Sequence, residues 1–597
     1  MSDIIRKLVD LLQKYRFNLL LYVLFVAVLI FDFLWFFEIV ERPLSWEYPP
    51  AIIFNVSTAF LLSLIYFVPR RYKGLIFIYL GLITTYLVGN ALYFRTYYTI
   101  IPIDSFTMVE NLNGLKESIF SSFRWADSAF LLSFLSLIAT YYLFLKVRMV
   151  AERGQLRLKT TAVIFFLISL VIGNQLYQKR NDVSNLLSQE NDFRYDLIEG
   201  ASSYGFVSCW IWQSIDFFSA GKSISTAEQH QIESWLANHA EMEKIDPMKA
   251  DLKRNVILLV VESLESFPIE KKINGIEITP NLNQLLSGDS CFFADHVVPQ
   301  VKDGRSSDAQ LIINSGLLPL SSGATCFRNP HNRYFTLAKA LQSKGYSTTT
   351  LLGGNASFWN QGVFNKSLGY DKLISIDQFR YDETYEFGLT DSSFFAQSIE
   401  QLSALPKPFF AQMITLSSHA PFTLIDGRIY LQTPKECPKY IADYLNAIHY
   451  VDICIGRFIS DLKKAGLFHQ TTIVITGDHD AFSHKPYLRN SCCKTLFGAQ
   501  SYNPLIVLNA SAKGRYTAAM GQIDIYPTLL HLLGASDYAW HGLGFSIFDE
   551  RKSGFAIDAK MNVVSDLKSV PDSIFQQALD AWQVSDLIIR KNYFDKK

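Results

Sequence analysis

Residues Asn255–Phe267 read NVILLVVESLESF, and residues Thr472–Asp480 read TIVITGDHD. In each, an unbroken apolar run of strand length ends abruptly at carboxylate, hydroxyl or imidazole side chains. Three further runs have the same character: Ser347–Leu352, Phe409–Leu416 and Pro504–Leu508. They alternate with stretches of helical period, Tyr334–Lys344, Phe394–Leu405 and Tyr440–Lys464. Continuously apolar strands separated by helices predict an α/β domain built on a parallel sheet covered on both faces. In such sheets ligands bind beyond the carboxyl ends of the strands, so the residues that end each run carry the functional reading.

Glu262 follows the first run, and Gly477, Asp478 and His479 follow the fourth. The Phe409–Leu416 run leads to His419 in TLSSHAPF, and Ser347–Leu352 leads to Gly353, Gly354, Asn355 and Trp359. An Asp-His pair offers an oxygen and a nitrogen donor side by side, and Glu262 adds a second oxygen, a set that suits Zn²⁺ or Mn²⁺. Each motif alone also fits a solvated strand end or a hydrogen-bonded turn; it is their convergence on one sheet edge that predicts a metal site. Asp303-Gly304-Arg305-Ser306-Ser307-Asp308 precedes the helical stretch Ala309–Leu317. That pattern is also an ordinary helix N-cap. Functionally, a serine hydroxyl there faces unpaired N–H groups and a positive dipole end, which favour phosphate, and a cation beside it makes it a nucleophile.

The front of the chain is different. Five apolar runs, Phe17–Phe37, Ala51–Val68, Gly74–Leu92, Ala129–Leu145 and Thr160–Leu176, reach the length needed to cross about 30 Å of hydrocarbon. The first is long, lacks a small-residue cleavage pattern and has four successors, so it reads as a retained span rather than a signal peptide. Asp32 is the one acidic group within these runs and is expected to face the bundle interior or the outer interface. Twelve Lys and Arg residues precede the first span or lie between spans two and three or four and five; only four lie in the alternate segments. That excess puts the N-terminus inside and everything after Leu176 outside. The expected organisation is therefore a five-helix transmembrane domain over 1–176, a connector with interfacial helices such as Ala227–Met242 over 177–253, and an extracytoplasmic catalytic domain over 254–597.

Composition supports this division. The 597 residues exceed a single core, and 49% hydrophobic with 18% charged residues disfavours extended disorder. Lys plus Arg and Asp plus Glu both number 55, so no global basic field invites nucleic acid. The seven cysteines, Cys209, Cys291, Cys326, Cys437, Cys454, Cys492 and Cys493, lack C-x-x-C spacing and are too few for a disulfide scaffold. Some disulfides are expected on the outer side; Cys454, in an apolar helical stretch, reads as a buried thiol.

The segments VVESLESF, ITPNLNQLL, GRSSDAQLIINSGLLPL, GGNASFWNQ, GLTDSSFFAQSI, TLSSHAPF, TGDHD and GQIDIYPTLLHLLG occur in that order. Together with the preceding spans they resemble the lipoteichoic acid synthase-like phosphoglycerol transferases, of the alkaline phosphatase and sulfatase superfamily. The resemblance implies a sulfatase-like domain with a central, mostly parallel sheet. It implies that Glu262, Asp478 and His479 bind one divalent metal, Mn²⁺ foremost, with Zn²⁺ or Mg²⁺ as alternatives. Ser306 stands where those enzymes place a threonine nucleophile and would be the fourth ligand, with the adjacent Ser307 as the alternative. His419 and Trp359 stand at substrate-binding positions.

Two departures count. Where the glycerol-phosphate polymerases carry a phosphate-clamping arginine two residues beyond the tryptophan, this chain has Gln361, and Arg305 is a candidate replacement for the lost charge. The Pro and Arg of the sulfatase signature are absent around Ser306, which disfavours formylglycine chemistry. The expectation is a multi-pass cytoplasmic-membrane enzyme with an outward site. It transfers phosphoglycerol from a membrane phospholipid to a glycan or glycolipid acceptor through a phosphoseryl intermediate. Phosphoethanolamine transfer and hydrolysis by a phosphodiesterase, phosphatase or sulfatase are the alternatives. A catalytically dead scaffold conflicts with the intact set Glu262, Ser306, Asp478 and His479, and a transporter conflicts with spans lacking paired charges and an internal repeat.

Overall fold

A computed structural model describes the chain outside residues 1, 41–43, 45–48, 69–71, 98, 104–122, 148–159, 161–162, 165, 168–196, 220–222, 243–253, 289, 386–387, 425–426, 483–495, 499, 550–553, 566–571 and 597. It divides into two compact units, Met1–Ser219 and Ala220–Lys597.

In the first unit, helices Ser2–Ile39, Pro49–Leu62, Lys73–Tyr97, Ser128–Val147, Leu197–Tyr204 and Phe206–Ser219 surround an aromatic core that includes Phe25, Phe33, Phe36, Tyr66, Tyr141 and Phe206. Leu20, Ile78, Leu82 and Leu132 are each more than 60% exposed. An apolar outer surface around an apolar core is the arrangement of helices solvated by lipid. Asp32 is buried, in keeping with an inward-facing position. Asn55 donates through Nδ2 to the carbonyls of Ala201 and Ser202, tying Pro49–Leu62 to Leu197–Tyr204. Arg95 and the buried Asp127 form a two-pronged pair at 2.7 Å.

The five-span expectation is met in part. Among the described residues three helices are long and apolar enough to cross a membrane, Leu19–Ile39, Gly74–Arg95 and Trp125–Leu143. Ala51–Phe67 is apolar but shorter, its last turns tightening to a 3₁₀ helix over Ser63–Phe67. The Thr160–Leu176 run lies largely outside the described residues. Within the expected connector over 177–253, Leu197–Ser219 packs in the first unit. Helix Thr226–Met242, read from sequence as interfacial, packs in the second unit on Asp572–Arg590, where Trp235 Nε1 donates to the Gln577 carbonyl.

The second unit is built on a nine-stranded sheet. Its strands are β1 (Asn255–Val261), β2 (Cys291–Val298), β3 (Ser347–Leu352), β4 (Lys372–Ile374), β5 (Phe409–Ile414), β6 (Thr471–Gly477), β7 (Asn503–Leu508), β8 (Gly514–Tyr516) and β9 (Met520–Gly521). The order is β8-β2-β7-β6-β1-β5-β3-β4, with β9 also paired to β2. The block β6-β1-β5-β3-β4 is parallel, as expected. Strand β7, read from sequence as another parallel strand, runs antiparallel to both β6 and β2, so the sheet is mixed. Along β1, Ile257, Leu259 and Val261 join the core formed with helices Lys439–Lys464 and Asp391–Ser403, while Val256, Leu258 and Val260 are buried on the other face. Burial on both faces explains why the strand reads as a continuous apolar run. The register sets Val261 opposite Gly477 and Val260 opposite Ile414, which brings the three functional strand ends level.

Candidate active site

Glu262 leaves β1 with its main chain held on both sides. Its N–H donates to Thr415 Oγ1 at 3.0 Å and its carbonyl accepts from Ser418 Oγ at 2.6 Å. Asp478 leaves β6 where Gly477 permits close approach: a Cβ at 477 would lie 2.0 Å from the Leu264 carbonyl oxygen. Asp478 Oδ1 accepts the N–H groups of Ser263 and His479, both at 2.7 Å. Its other oxygen, Oδ2, is buried and accepts no hydrogen bond. His479 Nε2 lies 3.2 Å from Glu262 Oε1 and 3.4 Å from Asp478 Oδ2. One donor atom from each of Glu262, Asp478 and His479 falls within a span of 4.8 Å.

Ser306 enters from the helix Arg305–Ser315, whose N-cap is Gly304 rather than a serine or aspartate. Gly304 is needed there because a Cβ would sit 2.1 Å from Asp308 Oδ1. The Asp308 carboxylate folds back over the loop, with Oδ2 accepting from the N–H groups of Lys302 and Gly304. Arg305 is held at φ 44°, a strained left-handed conformation of the kind that gathers at functional sites. The result separates the two serines. Ser306 Oγ donates to Glu262 Oε2 at 3.1 Å, whereas Ser307 Oγ turns back to donate to the Gly304 carbonyl at 2.6 Å.

The electrostatics are those of a cation site. For Glu262, burial works to raise the pKa, but the His479 imidazole outweighs it, with a smaller contribution from His419, and the carboxyl is held below the usual carboxylate range. Burial, and then the Glu262 charge, push Asp478 up to about 7. Burial and Arg305 depress His479, but Asp478 and Glu262 prevail and its pKa lies above the ordinary imidazole value. Two buried carboxylates so close repel unless a proton or a cation lies between them. The orphaned Asp478 Oδ2, facing a nitrogen and a second carboxylate, is the donor set that a divalent metal satisfies. His479 Nδ1 stands 3.1 Å from the Asp480 carbonyl, the outer hydrogen bond that orients a metal-binding histidine, and 3.1 Å from Arg305 Nη2.

The structure thus brings Glu262, Ser306, Asp478, His479 and Arg305 into direct contact. His419, at the end of β5, has Nδ1 2.7 Å from the Ala420 carbonyl. Trp359, at φ 50°, is stacked on Phe327 with ring centroids 5.8 Å apart. Gln361, buried beside it, is engaged with Asn365, whose Nδ2 donates to Gln361 Oε1 at 2.6 Å. The sequence reading missed Thr415, Ser418 and Gln522, the last donating through Nε2 to the Asp478 carbonyl at 2.6 Å. All three sit in the quoted motifs TLSSHAPF and GQIDIYPTLLHLLG, which was the only signal pointing to them. No disulfide joins two of the described cysteines: Cys209, Cys291, Cys326 and Cys454 are buried free thiols, Cys437 is buried, and Cys492 and Cys493 lie outside the described residues.

Comparisons with known proteins cover both halves. A family described as Sulfatase matches residues 254–535, and one described as Lipoteichoic acid synthase N-terminal domain matches residues 1–207. Lipoteichoic acid synthase 2 of Bacillus subtilis (strain 168) is 30% identical over 477 residues, covering 76% of this chain and 71% of the relative. Lipoteichoic acid synthase of Staphylococcus aureus (strain USA300) is 26% identical over 519 residues, covering 82% and 77%. The crystal structure of the lipoteichoic acid synthase LtaP from Listeria monocytogenes has a similar fold, with a TM-score of 0.52 at 20% identity over 59% of this chain and 98% of that one. The two halves are matched in the order in which they occur here, and this chain belongs to the lipoteichoic acid synthase-like family of the alkaline phosphatase and sulfatase superfamily.

Proposed function

We propose that this protein is a membrane-anchored phosphotransferase that moves phosphoglycerol from a membrane phospholipid to an outward-facing glycan or glycolipid hydroxyl, with Ser306 as the nucleophile. The observation that carries the reading is the contact of Ser306 Oγ with Glu262 inside a buried cluster that leaves Asp478 Oδ2 without a hydrogen bond. Relatives named lipoteichoic acid synthase support the transferase class. Glu262, Asp478, His479 and Ser306 are the residues that would hold one divalent cation, Mn²⁺ first. When bound, it supplies Lewis acidity that lowers the serine pKa and neutralises charge building on phosphorus.

Ser306 Oγ, at the positive end of its helix, attacks phosphorus as its proton leaves towards Glu262 Oε2. The bond from phosphorus to the diacylglycerol oxygen breaks, and His419 returns a proton to that leaving oxygen. The acceptor hydroxyl, passing its proton to His419, then attacks the phosphoseryl group; the bond from phosphorus to Ser306 Oγ breaks, and Ser306 recovers its proton from Glu262. Arg305, next to Ser306, is the cation placed to meet a phosphate oxygen, and Trp359 lines the headgroup side. With the N-terminus inside, the catalytic unit works on the outer face, in contact with donor lipid held by the same membrane as its anchor. Phosphoethanolamine transfer is the second reading, favoured by Gln361, a neutral side chain where a cation would repel an ammonium headgroup.

The test is intact-mass spectrometry of the full chain in detergent with Mn²⁺ and either phosphatidylglycerol or phosphatidylethanolamine. An adduct that persists in Ser307→Ala and disappears in Ser306→Ala is expected, and its mass identifies the headgroup. An adduct retained by Ser306→Ala refutes the nucleophile assignment. A wild type that binds Mn²⁺ yet forms no adduct with either lipid points instead to hydrolysis.

A further inference from the structure

Buried at the head of helix Asp391–Ser403 is an aspartate that no step above uses. The helix is already capped by Thr390, whose side chain accepts from the Ser393 N–H at 3.3 Å, so the Asp391 carboxylate is free of that task. It turns instead onto the loop that follows β5. Asp391 Oδ1 accepts the N–H groups of Leu416 at 2.9 Å and Ser417 at 3.1 Å, and Ser417 Oγ accepts the Asp391 N–H at 2.9 Å. This is a reciprocal latch, 1% exposed at Asp391 and 3% at Ser417. The latched loop is the one that grips Glu262 from both sides through Thr415 and Ser418 and then delivers His419.

We infer that Asp391 is a positioning residue that fixes the Thr415–His419 loop, and through it sets both the Glu262 carboxylate and the His419 imidazole for the reaction. Packing does not call for a carboxylate here. Asp391 Oδ2 is buried and accepts no hydrogen bond, and an ionised group in that state costs folding energy. The side chain that fits must present one oxygen to two adjacent N–H groups, which aspartate does and an apolar residue cannot. The loop is held by this latch on one side and by Glu262 on the other, so loosening the first frees the second to drift. The inference rests on the proposed metal and nucleophile roles, and its test separates the two.

Mn²⁺ affinity by calorimetry, and kcat and KM for lipid transfer, are measured on the full chain for wild type, Asp391→Ala, Asp391→Asn and Ser417→Ala. Asp391→Ala should lose about 10- to 100-fold in turnover and metal affinity, the scale of outer-shell substitutions, with the loss mainly in kcat. Asp391→Asn keeps an oxygen acceptor for the same two N–H groups and should recover to within about threefold of wild type. Ser417→Ala removes only the return bond and decides the matter if Asp391→Ala does not fold; it should fall at least threefold, roughly the value of one lost hydrogen bond. Wild-type turnover and affinity in Asp391→Ala or in Ser417→Ala, or an Asn variant as impaired as the Ala one, overturns the latch while leaving the metal site standing. A wild type that binds no Mn²⁺ overturns both.

Discussion

Gly477→Ala adds one methyl group, and the structure says where it goes. The new Cβ would stand 2.0 Å from the Leu264 carbonyl oxygen and 3.1 Å from Asn503 Cγ. A carbon and an oxygen ordinarily meet at about 3.3 Å, so the backbone must yield by about 1.3 Å. Neither neighbour can give way cheaply. Leu264 lies two residues beyond Glu262, and Gly477 is both the last residue of β6 and the one before Asp478. The shift is therefore absorbed as relative movement of the Glu262 and Asp478 loops. Misplacement by about 1 Å costs catalysis on the order of a hundredfold, and overpacking costs about 1–3 kcal/mol of stability. The assay pairs lipid transfer with Mn²⁺ calorimetry and denaturant unfolding, with Gly498→Ala as the control. Gly498 is exposed, and its nearest neighbour to an added Cβ is 3.8 Å away. Turnover in Gly477→Ala should fall about a hundredfold with weakened metal binding, while the control stays near wild type. Wild-type turnover and affinity in Gly477→Ala would refute the claim that this glycine spaces the ligand-bearing loops.

Removing divalent metal with a chelator should lower the unfolding midpoint of the wild type. Saturation at a hundred times Kd is worth about 2.7 kcal/mol, or about 3–4 °C for a unit of about 380 residues, and Asp478→Ala should show no such shift. Burial pushes Asp391 up to about 6, so the folded state holds its proton more tightly than the unfolded chain. Its contribution to stability is then fully present below about pH 4 and is lost as pH rises through about 6. Relative to Asp391→Asn, which does not titrate, wild type should gain about 2 kcal/mol between pH 8 and pH 4 by denaturant unfolding; a difference that does not vary with pH contradicts the burial of this carboxylate.

The parallel half of the sheet was legible because burial on both faces writes a strand as a plain apolar run. Asn255–Val261 and Ser347–Leu352 were read to the residue, and the other three runs to within two. The same plainness hides direction. Leu505-Ile506-Val507-Leu508 reads identically in either sense, and only its pairing with β6 and β2 shows that it runs antiparallel. Strand β2 itself was missed, since Asp295 and His296 interrupt its apolar pattern at partly exposed positions, and β8 and β9 are too short to carry a period. Glu262, Asp478, His479 and Ser306 were legible because each ends a strand or opens a helix. Asp391 was not, because an aspartate at a helix start is what ordinary capping also produces. Its partner loop lies 25 residues downstream, a pairing that no local pattern encodes. Of the five expected spans, three are long apolar helices among the described residues, Ala51–Phe67 is a shorter one, and Thr160–Leu176 lies largely outside them.

Asp478 and the Ser263 amide that steadies it are separated by 215 residues of chain. Until β6 has paired with β1, the carboxylates of Glu262 and Asp478 do not face one another. A cation held by this set would therefore be captured late in the birth of the molecule, later than insertion of the first helices and later than synthesis of Ser306 itself. Sites of mixed oxygen and nitrogen donors discriminate poorly between neighbouring divalent ions, and occupancy follows what the surroundings supply. An ion bound there would then be a record of the solution in which the sheet closed. A chain refolded in one salt and the same chain made in its cell can differ in cargo while having identical coordinates.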